Sequence, residues 1–324
     1  MPVLDNARYP YERVLLSRTR LAYVHLRNLL NDAKRDRSAK VFGYVAIWLP
    51  EELIMLYLQE GELVNATSNN GREQCALPIA EALGRVPPEP EYGEICFHAA
   101  DDEQLACMFQ SHVVRPMAWP QELKAHSAQA LFPYLMATTF DGVVEITIDG
   151  AINYLIFRNG QVERAYLTVQ QQGTVIERVK RLFEGDPKAY RNVVRWDVPP
   201  PLPVQASPML VQAYRDLTAG LVRTLIAQGK ESAPQIAEAA RQQLLPKYPP
   251  LQSIGFMGRA ARDPVADAET LTEAVAALLA EIVWAGADPD RFQPEVLFRD
   301  LTRDRRHMFQ SAGLYERLPW KVAF

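Results

Sequence analysis

The first third of the chain combines a helical stripe of apolar positions with short runs of β-branched and aromatic residues. Apolar side chains over 21–33 recur at helical spacing, which predicts an amphipathic helix. Residues 41–49, 53–58 and 63–66 are typical of three strands. Gly61 falls in the tight turn before the third strand, where glycine adopts a positive φ without steric cost. The pattern predicts a helix followed by a three-stranded antiparallel meander.

The same pattern returns 99 residues later without a gap. Six of the 24 aligned positions between 43–66 and 142–165 are identical, and they fall on turn glycines and alternate strand positions. The identical pairs are Gly43/Gly142, Val45/Val144, Ile47/Ile146, Leu56/Leu155, Gly61/Gly160 and Ala66/Ala165. Backbone geometry and burial restrict the residue choice at such positions. We interpret the two segments as a duplication; the alternative is two unrelated meanders that share hairpin chemistry.

Each copy continues past its meander into a further helix and a returning strand. Helical spacing over 75–83 and 174–183 predicts the two helices, and residues 93–98 and 193–198 predict the two strands. The second of these strands runs directly into a proline-rich segment. We therefore expect it at or close to the edge of its sheet.

Beyond that segment two apolar stripes have helical spacing, and they predict two helices. The stripes are Tyr214, Leu217, Leu221 and Leu225, and Leu271, Val275, Leu278 and Ile282. A further helix is predicted over 294–309, with Pro294 in its first turn. Repeated prolines are typical of a stiff linker. The predicted domains are a first repeat with its N-terminal helix (1–118), a second repeat (119–198), a linker (199–207) and a helical domain (208–324). The predicted fold class is α+β, with two tandem helix-plus-antiparallel-meander repeats followed by an all-α domain.

Composition narrows the possible functions. Of the 324 residues, 48% are hydrophobic and 23% are charged, which argues against a disordered chain. A formal net charge of −4 argues against a general nucleic-acid binder, which usually carries a basic excess. No stretch approaches the roughly 18 apolar residues of a membrane span, and the N-terminus lacks the apolar core of a secretory signal. The odd number of cysteines, three, favours a reducing compartment, and we expect the cytoplasm.

Four potential metal ligands lie close together in the sequence. Cys96 and His98 share one face of a predicted strand, and Cys107 and His112 follow on a predicted helix. Zinc accepts two thiolates and two imidazoles, but the spacing matches no common zinc finger, and residues five apart do not share a helix face. We expect buried cysteines and ordinary histidines, and no bound metal.

No catalytic motif is present: the sequence contains no GxGxxG, no Walker loop, no G-x-S-x-G and no HExxH. The acidic run 101–103 is interpreted as the cap of a helix that begins near Gln104. The charged run 299–307 is interpreted as a solvated helix face, with a partner-binding basic patch as the alternative. We therefore expect no enzyme and no cofactor; an enzyme housed in the helical domain is the minor alternative.

The duplicated pattern resembles the PatA-N-terminal-like (PATAN) domain of bacterial signalling proteins. The similarity rests on the paired leucines Leu29 and Leu30, on the strand that begins at Gly43, on the segment 58–66 and on the closing segment 93–97. It covers about 21–113 and 127–198. It implies a non-enzymatic module of signal transduction, with no catalytic residues to transfer. In the segment 208–324 we recognise no family resemblance.

The expected function is that of a bacterial adaptor or scaffold that binds a protein partner, either another protein or a second copy of itself. Arg195 and Trp196 are the candidate interaction residues, because arginine and tryptophan on an edge strand are typical of interfaces; the competing interpretation is that Trp196 packs into the core. The alternative function is a sensor that holds a small ligand or metal on a sheet face or in the cleft between the repeats.

Overall fold

The chain divides into two units, which a computed structural model describes over residues 6–35, 41–169, 172–184, 191–255, 262–286 and 293–322. The sheet unit comprises 1–77 and 85–203, and the helical unit comprises 78–84 and 204–324. The division after Pro203 falls within the segment 199–207 that was predicted to be a linker. Both repeats belong to the sheet unit, except for residues 78–84 of the first repeat. The α+β fold class is confirmed, since two antiparallel sheets precede a helical region.

The first sheet has six antiparallel strands in the order β1-β6-β2-β3-β4-β5. They are β1 (Arg13–Arg20), β2 (Gly43–Trp48), β3 (Leu53–Gln59), β4 (Glu62–Asn69), β5 (Gln74–Leu77) and β6 (Glu94–Ala99). Helix α1 (Leu26–Arg35) precedes the meander, and α2 (Ile79–Arg85) follows β5 in the chain. The predicted meander is therefore present as β2, β3 and β4, with further strands on both sides.

The second sheet has four antiparallel strands in the order β10-β7-β8-β9. They are β7 (Gly142–Ile148), β8 (Ala151–Arg158), β9 (Gln161–Tyr166) and β10 (Arg191–Trp196). Helix α4 (Ala128–Ala137) precedes this meander and α5 (Val175–Glu184) follows it. The expectation that the last strand lies at an edge is confirmed for β10.

The two meanders have the same register at the same offset. Gly43 pairs with Leu58, and Gly142 pairs with Phe157. Both second hairpins contain a bulge directly before that partner, between 57 and 58 in the first repeat and between 156 and 157 in the second. Equivalent bulges at equivalent positions support the interpretation of a duplication, because a bulge is a specific feature of a strand pair.

The hairpin glycines of the two repeats occupy equivalent turns. Gly61 and Gly160 have φ of +80° and +74°, and each follows a residue that also has positive φ, as a two-residue type I′ turn requires. A Cβ on Gly61 would lie 2.3 Å from the Ala33 carbonyl oxygen, and one on Gly160 would lie 2.6 Å from that of Leu135. In both repeats, the turn therefore packs against the backbone of the preceding helix.

Three elements of the sheet unit differ from those that the sequence pattern predicts. Strand β1 was not predicted, because its composition is largely polar; it lies at a sheet edge and needs few apolar residues. The helix predicted over 21–33 is split, with a 3-10 turn over Leu21–Tyr23 ahead of α1. The helix predicted over 75–83 begins instead with β5, whose side chains Cys75 and Leu77 fit a pleated strand as well as a helix.

Helix α3 (Asp102–Val113) links the repeats in the chain and lies in the core between the two sheets. Its Leu105 and Met108 share one buried cluster with Met55 of the first sheet and with Tyr154 and Ile156 of the second. The opposite face of the second sheet packs in a separate cluster with α4 and α5. Both faces of the second sheet are therefore covered by helices.

The helical unit is built around two long helices with the predicted stripes. Its helices are α6 (Pro208–Ala227), α7 (Ala233–Leu244), α8 (Ala268–Gly286), α9 (Pro294–Thr302), α10 (Arg306–Ser311) and α11 (Leu314–Arg317). Tyr214 on α6 shares a buried hydrogen bond with Thr272 on α8, at 2.7 Å between their hydroxyl oxygens. The single helix predicted over 294–309 is broken by a 3-10 turn at Arg303–Arg305. Within the described ranges, no helix has the length and apolarity needed to cross a bilayer.

Substitution of Gly160 by alanine is expected to lower the free energy of unfolding of the sheet unit. The loss should exceed the cost of placing alanine at a positive φ. The new Cβ would lie 2.6 Å from the Leu135 carbonyl oxygen and from the Met136 Cα. Strain at positive φ costs about 1 kcal/mol, and the backbone clash should raise the loss to about 2 kcal/mol or more. Denaturant unfolding, followed for the transition of the unit that carries the substitution, measures the loss.

The control is Gly229→Ala, since Gly229 also has positive φ (+88°) but has open space at its Cβ position. It isolates the cost of the backbone conformation. Equal losses for the two variants would contradict the close packing of the turn on α4.

Candidate functional site

An N-terminal strap, residues 7–12, joins the two sheets. The Arg8 amide donates to the Gly150 carbonyl at 2.8 Å, and the Ile152 amide donates to the Arg8 carbonyl at 2.9 Å, both in the second repeat. The Glu12 amide donates to the Ala99 carbonyl of the first repeat at 2.9 Å. The strap therefore ties the two repeats together on one side of α3.

Buried polar groups meet the strap between the sheets. His112 on α3 lies 2.7 Å through Nδ1 from the Met108 carbonyl oxygen, which can only accept, so Nδ1 carries the proton. Its Nε2 then accepts from the Tyr9 hydroxyl at 3.2 Å. Burial lowers the pKa of His112, so the ring is neutral near pH 7. His112 is thereby a satisfied core histidine that anchors the strap.

The four candidate metal ligands are not brought together as one site. His98 Nδ1 lies 3.0 Å from the Tyr44 hydroxyl and 4.0 Å from Cys96 Sγ, whereas His112 is engaged with Tyr9. Burial raises the pKa of Cys96 to about 12 and raises that of Cys107 as well, which disfavours the thiolates that zinc needs. In the part of the chain that the structure describes, no group of three or more His, Cys, Asp or Glu side chains could hold a metal ion.

An acidic group on the inner face of the second sheet faces the same core. Glu145 on β7 accepts a hydrogen bond from the Thr147 hydroxyl at 3.1 Å, and burial raises its pKa to about 7. The hydroxyl groups of Tyr9 and Tyr154 are close enough for its charge to raise their pKa values. A carboxyl group here is half protonated near neutral pH, so this core is sensitive to pH.

The start of α3 carries a second polar cluster that crosses the repeats. Asp101 is the N-cap, as predicted, and accepts from the Gln104 amide at 2.8 Å. The Tyr166 hydroxyl on β9 lies 2.8 Å from one Asp101 carboxylate oxygen and 3.1 Å from Glu103. Arg164 forms an ion pair with Glu103 at 2.9 Å. These contacts fix the end of β9 against the start of α3, and we read them as positioning rather than as acid–base chemistry.

A cleft of about 290 Å³ opens beside this cluster. Its walls are the strap, α3, the end of β9 and α5. The lining residues are Pro10, Tyr11, Glu12, Gln104, Ala165, Tyr166, Leu167 and Arg178. The Gln104 amide group donates to the Pro10 carbonyl at 2.5 Å, which fixes one wall. Sites for small ligands have volumes of roughly 300–1,000 Å³, so the cleft is slightly smaller than that range.

Arg178 is the notable charged group of the cleft. Its Nε is buried and has no hydrogen-bond partner among the described residues. An unsatisfied buried nitrogen on a cation carries a desolvation penalty that an anionic or carbonyl partner would remove. The other charged lining residue, Glu12, already has an interaction within the protein.

The structure places the predicted interaction residues inside the sheet unit. Trp196 is 4% exposed, and its indole N–H donates to the Val114 carbonyl at 2.9 Å. Arg195 stacks on the Trp119 ring, 4.5 Å from the ring centroid, and donates to the Ala118 carbonyl at 2.8 Å.

The β10 edge was expected to be open, but residues 114–119 cover it. The Met117 amide donates to the Arg195 carbonyl at 2.8 Å, and the Trp119 indole N–H donates to the Val193 carbonyl at 2.8 Å. This segment precedes α4 as β1 precedes α1, so each repeat begins by covering the edge of its last strand. The backbone and side chains of Arg195 and Trp196 are therefore engaged within the chain, where an interface was expected.

The cleft could not be located from the sequence, because its walls come from four separate segments. One signal was available for the core: residues 143–148 are apolar on both faces of a strand except at Glu145 and Thr147, which indicates a carboxyl group facing a covered core.

Compared with protein-family models, curated proteins and solved structures, the chain matches none. The resemblance to PATAN domains therefore stays a prediction.

Replacement of Glu145 by glutamine should stabilise the protein increasingly as the pH rises. A carboxyl group with a folded-state pKa near 7 and an unfolded value near 4.5 holds its proton in the fold, so the wild type loses stability as pH rises between those values. Between pH 5 and 7.5, the advantage of Glu145→Gln in the free energy of unfolding should grow by roughly 2–3 kcal/mol.

Chemical denaturation across this range measures the difference between variant and wild type. The difference is needed because burial lowers the pKa values of His98 and His112, which makes the wild type gain stability with pH in an overlapping window. Glu91→Gln, at an exposed position, is the control. A difference that does not change with pH would show that Glu145 is solvated.

Proposed function

We propose that this protein is a non-enzymatic adaptor of bacterial signal transduction that binds a protein partner. The resemblance of both repeats to PATAN signalling domains motivates the class. One observation on the fold carries the proposal: the repeats share an architecture but differ in the protection of one sheet edge. In the first sheet β4 is covered by β5, whereas β9, the equivalent of β4, is the last strand of the second sheet.

The difference matters because an uncovered strand edge is a template for pairing with another chain. Natural proteins cover such edges when they have no use for them. In this protein, β1 covers the first edge of the first repeat, and residues 114–119 cover the corresponding edge of the second. Among the described residues, β9 is an edge strand with a cleft beside it, and this combination favours binding of a partner there.

A second candidate function is a sensor that holds a small ligand in the cleft. The observation in its favour is the lining itself, which combines Tyr11, Gln104 and Tyr166 with the cation Arg178. Such a lining suits a small anion with an apolar body. The two functions are separated by experiment.

The adaptor proposal is tested by affinity purification of the tagged full chain from the host cell, followed by titration calorimetry with any recovered protein made separately. We expect a stoichiometric complex with a Kd in the micromolar range or tighter. In parallel, thermal-shift measurements with nucleotides, cyclic dinucleotides and small carboxylates test the sensor. A shift of several degrees with one compound, removed by Arg178→Gln and found without any partner protein, would overturn the adaptor in favour of the sensor.

A further inference from the structure

The cleft in the second repeat lies where the first repeat has its fifth strand. In the first sheet, β5 pairs with the end of β4, with Leu77 opposite Ala66 and Ala76 opposite Thr67. At the offset of 99, the positions equivalent to Ala66 and Thr67 are Ala165 and Tyr166, which both line the cleft. The first repeat thus shows, within this chain, that a strand fits on this edge.

The cleft follows the backbone edge of β9 rather than one face of the sheet. Tyr166 belongs to the inner core against α3, whereas Ala165 and Leu167 belong to the outer core against α4 and α5. Successive residues of a strand point to opposite faces. Since all three line one cleft, the cleft lies at the C-terminal end of the β9 edge and not on one face of the sheet.

Among its described residues, the second repeat has no strand of its own for this position. Residues 173–176 are the equivalents of β5, but α5 already begins at Val175. The Gly173 backbone has φ of +119°, which an extended strand does not accommodate. Among the described residues, β9 pairs only with β8.

Arg178 is the charged residue that would select a side chain of a segment bound at this edge. It lies on α5, on the wall that flanks the edge, and its buried Nε has no hydrogen-bond partner among the described residues. A carboxylate on an incoming chain would neutralise the guanidinium where Arg178 lines the cleft. The aromatic rings of Tyr11 and Tyr166 offer apolar contact on the opposite wall.

We propose that the cleft binds one extended segment of a partner protein, which adds to the edge of β9 as an antiparallel strand and places an acidic side chain on Arg178. This inference rests on the proposed adaptor function and names its binding mode. Main-chain hydrogen bonds provide the affinity in strand addition, and alternate side chains provide the specificity.

The probe is a phage-displayed library of random nine-residue peptides, selected on the immobilised full chain. Enriched peptides are synthesised with a fluorophore, and their affinity is measured by fluorescence anisotropy. We expect an acidic residue at a fixed position and a loss of affinity of roughly tenfold or more in Arg178→Glu. Lys180→Glu, an exposed position on the same helix, is the matched control and should leave the affinity unchanged.

N-methylation of single peptide amides tests the strand geometry. In strand addition, alternate amides face the β9 edge, so N-methyl groups should abolish binding at every second position and be tolerated between them. Failure to enrich a peptide whose affinity depends on Arg178, or sensitivity without this period of two, would overturn the inference. So would displacement of the enriched peptide by succinate alone at millimolar concentration, which would assign the cleft to a small anion.

The result for the cleft can be distinguished from the result for the adaptor function. If a partner protein binds Arg178→Glu as tightly as the wild type and does not compete with the peptide, the adaptor function stands and the cleft is not its site. If no partner protein is found but the peptide binds with the period of two, the strand-binding cleft stands without a known partner. Circular dichroism of Arg178→Glu, expected to match the wild type, excludes unfolding as the cause of lost binding.

Discussion

Burial of helix α3 between two β-sheets is the constraint on which the sheet unit depends. The helix gives Leu105 and Met108 to a cluster that contains side chains of both repeats, so neither sheet can bury its inner face without it. Asp101 at its start and His112 at its end fix the helix to β9 and to the N-terminal strap. Two copies of one pattern thereby become a single unit with one shared core.

That shared core contains polar groups, several of which have defined partners. The ring of His112 is neutral and accepts from Tyr9, and the Tyr154 hydroxyl lies 3.1 Å from that of Ser111. Glu145 is the exception, since burial raises its pKa into the neutral range. A charged carboxylate in this position works against the packing that joins the repeats, so pH acts on the junction between them.

The duplication explains both the likeness and the asymmetry of the repeats. Turn glycines, bulges and helix positions coincide because they serve the same local packing. The copies differ where the chain no longer repeats: the first carries β5 on the edge of β4, and the second begins a helix early and leaves the β9 edge beside a cleft. The proposed function depends on this difference between the repeats and not on the architecture that they share.

The sequence by itself determined the meanders, their offset of 99, the turn glycines and the long helices α6 and α8. These features depend on period-two or helical spacing and on φ values that only a few residue types accept, and both are local properties. The cap at Asp101 was predictable for the same reason.

Only the tertiary structure decided which edges are covered and what α3 packs against. Strand β1 and residues 114–119 have little apolar pattern, because edge segments are held by backbone hydrogen bonds to distant strands. Arg195 and Trp196, where an interface was expected, donate hydrogen bonds to carbonyl groups of residues 114–119. The cleft joins residues from 10 to 178, and no local pattern encodes a surface assembled from segments so far apart.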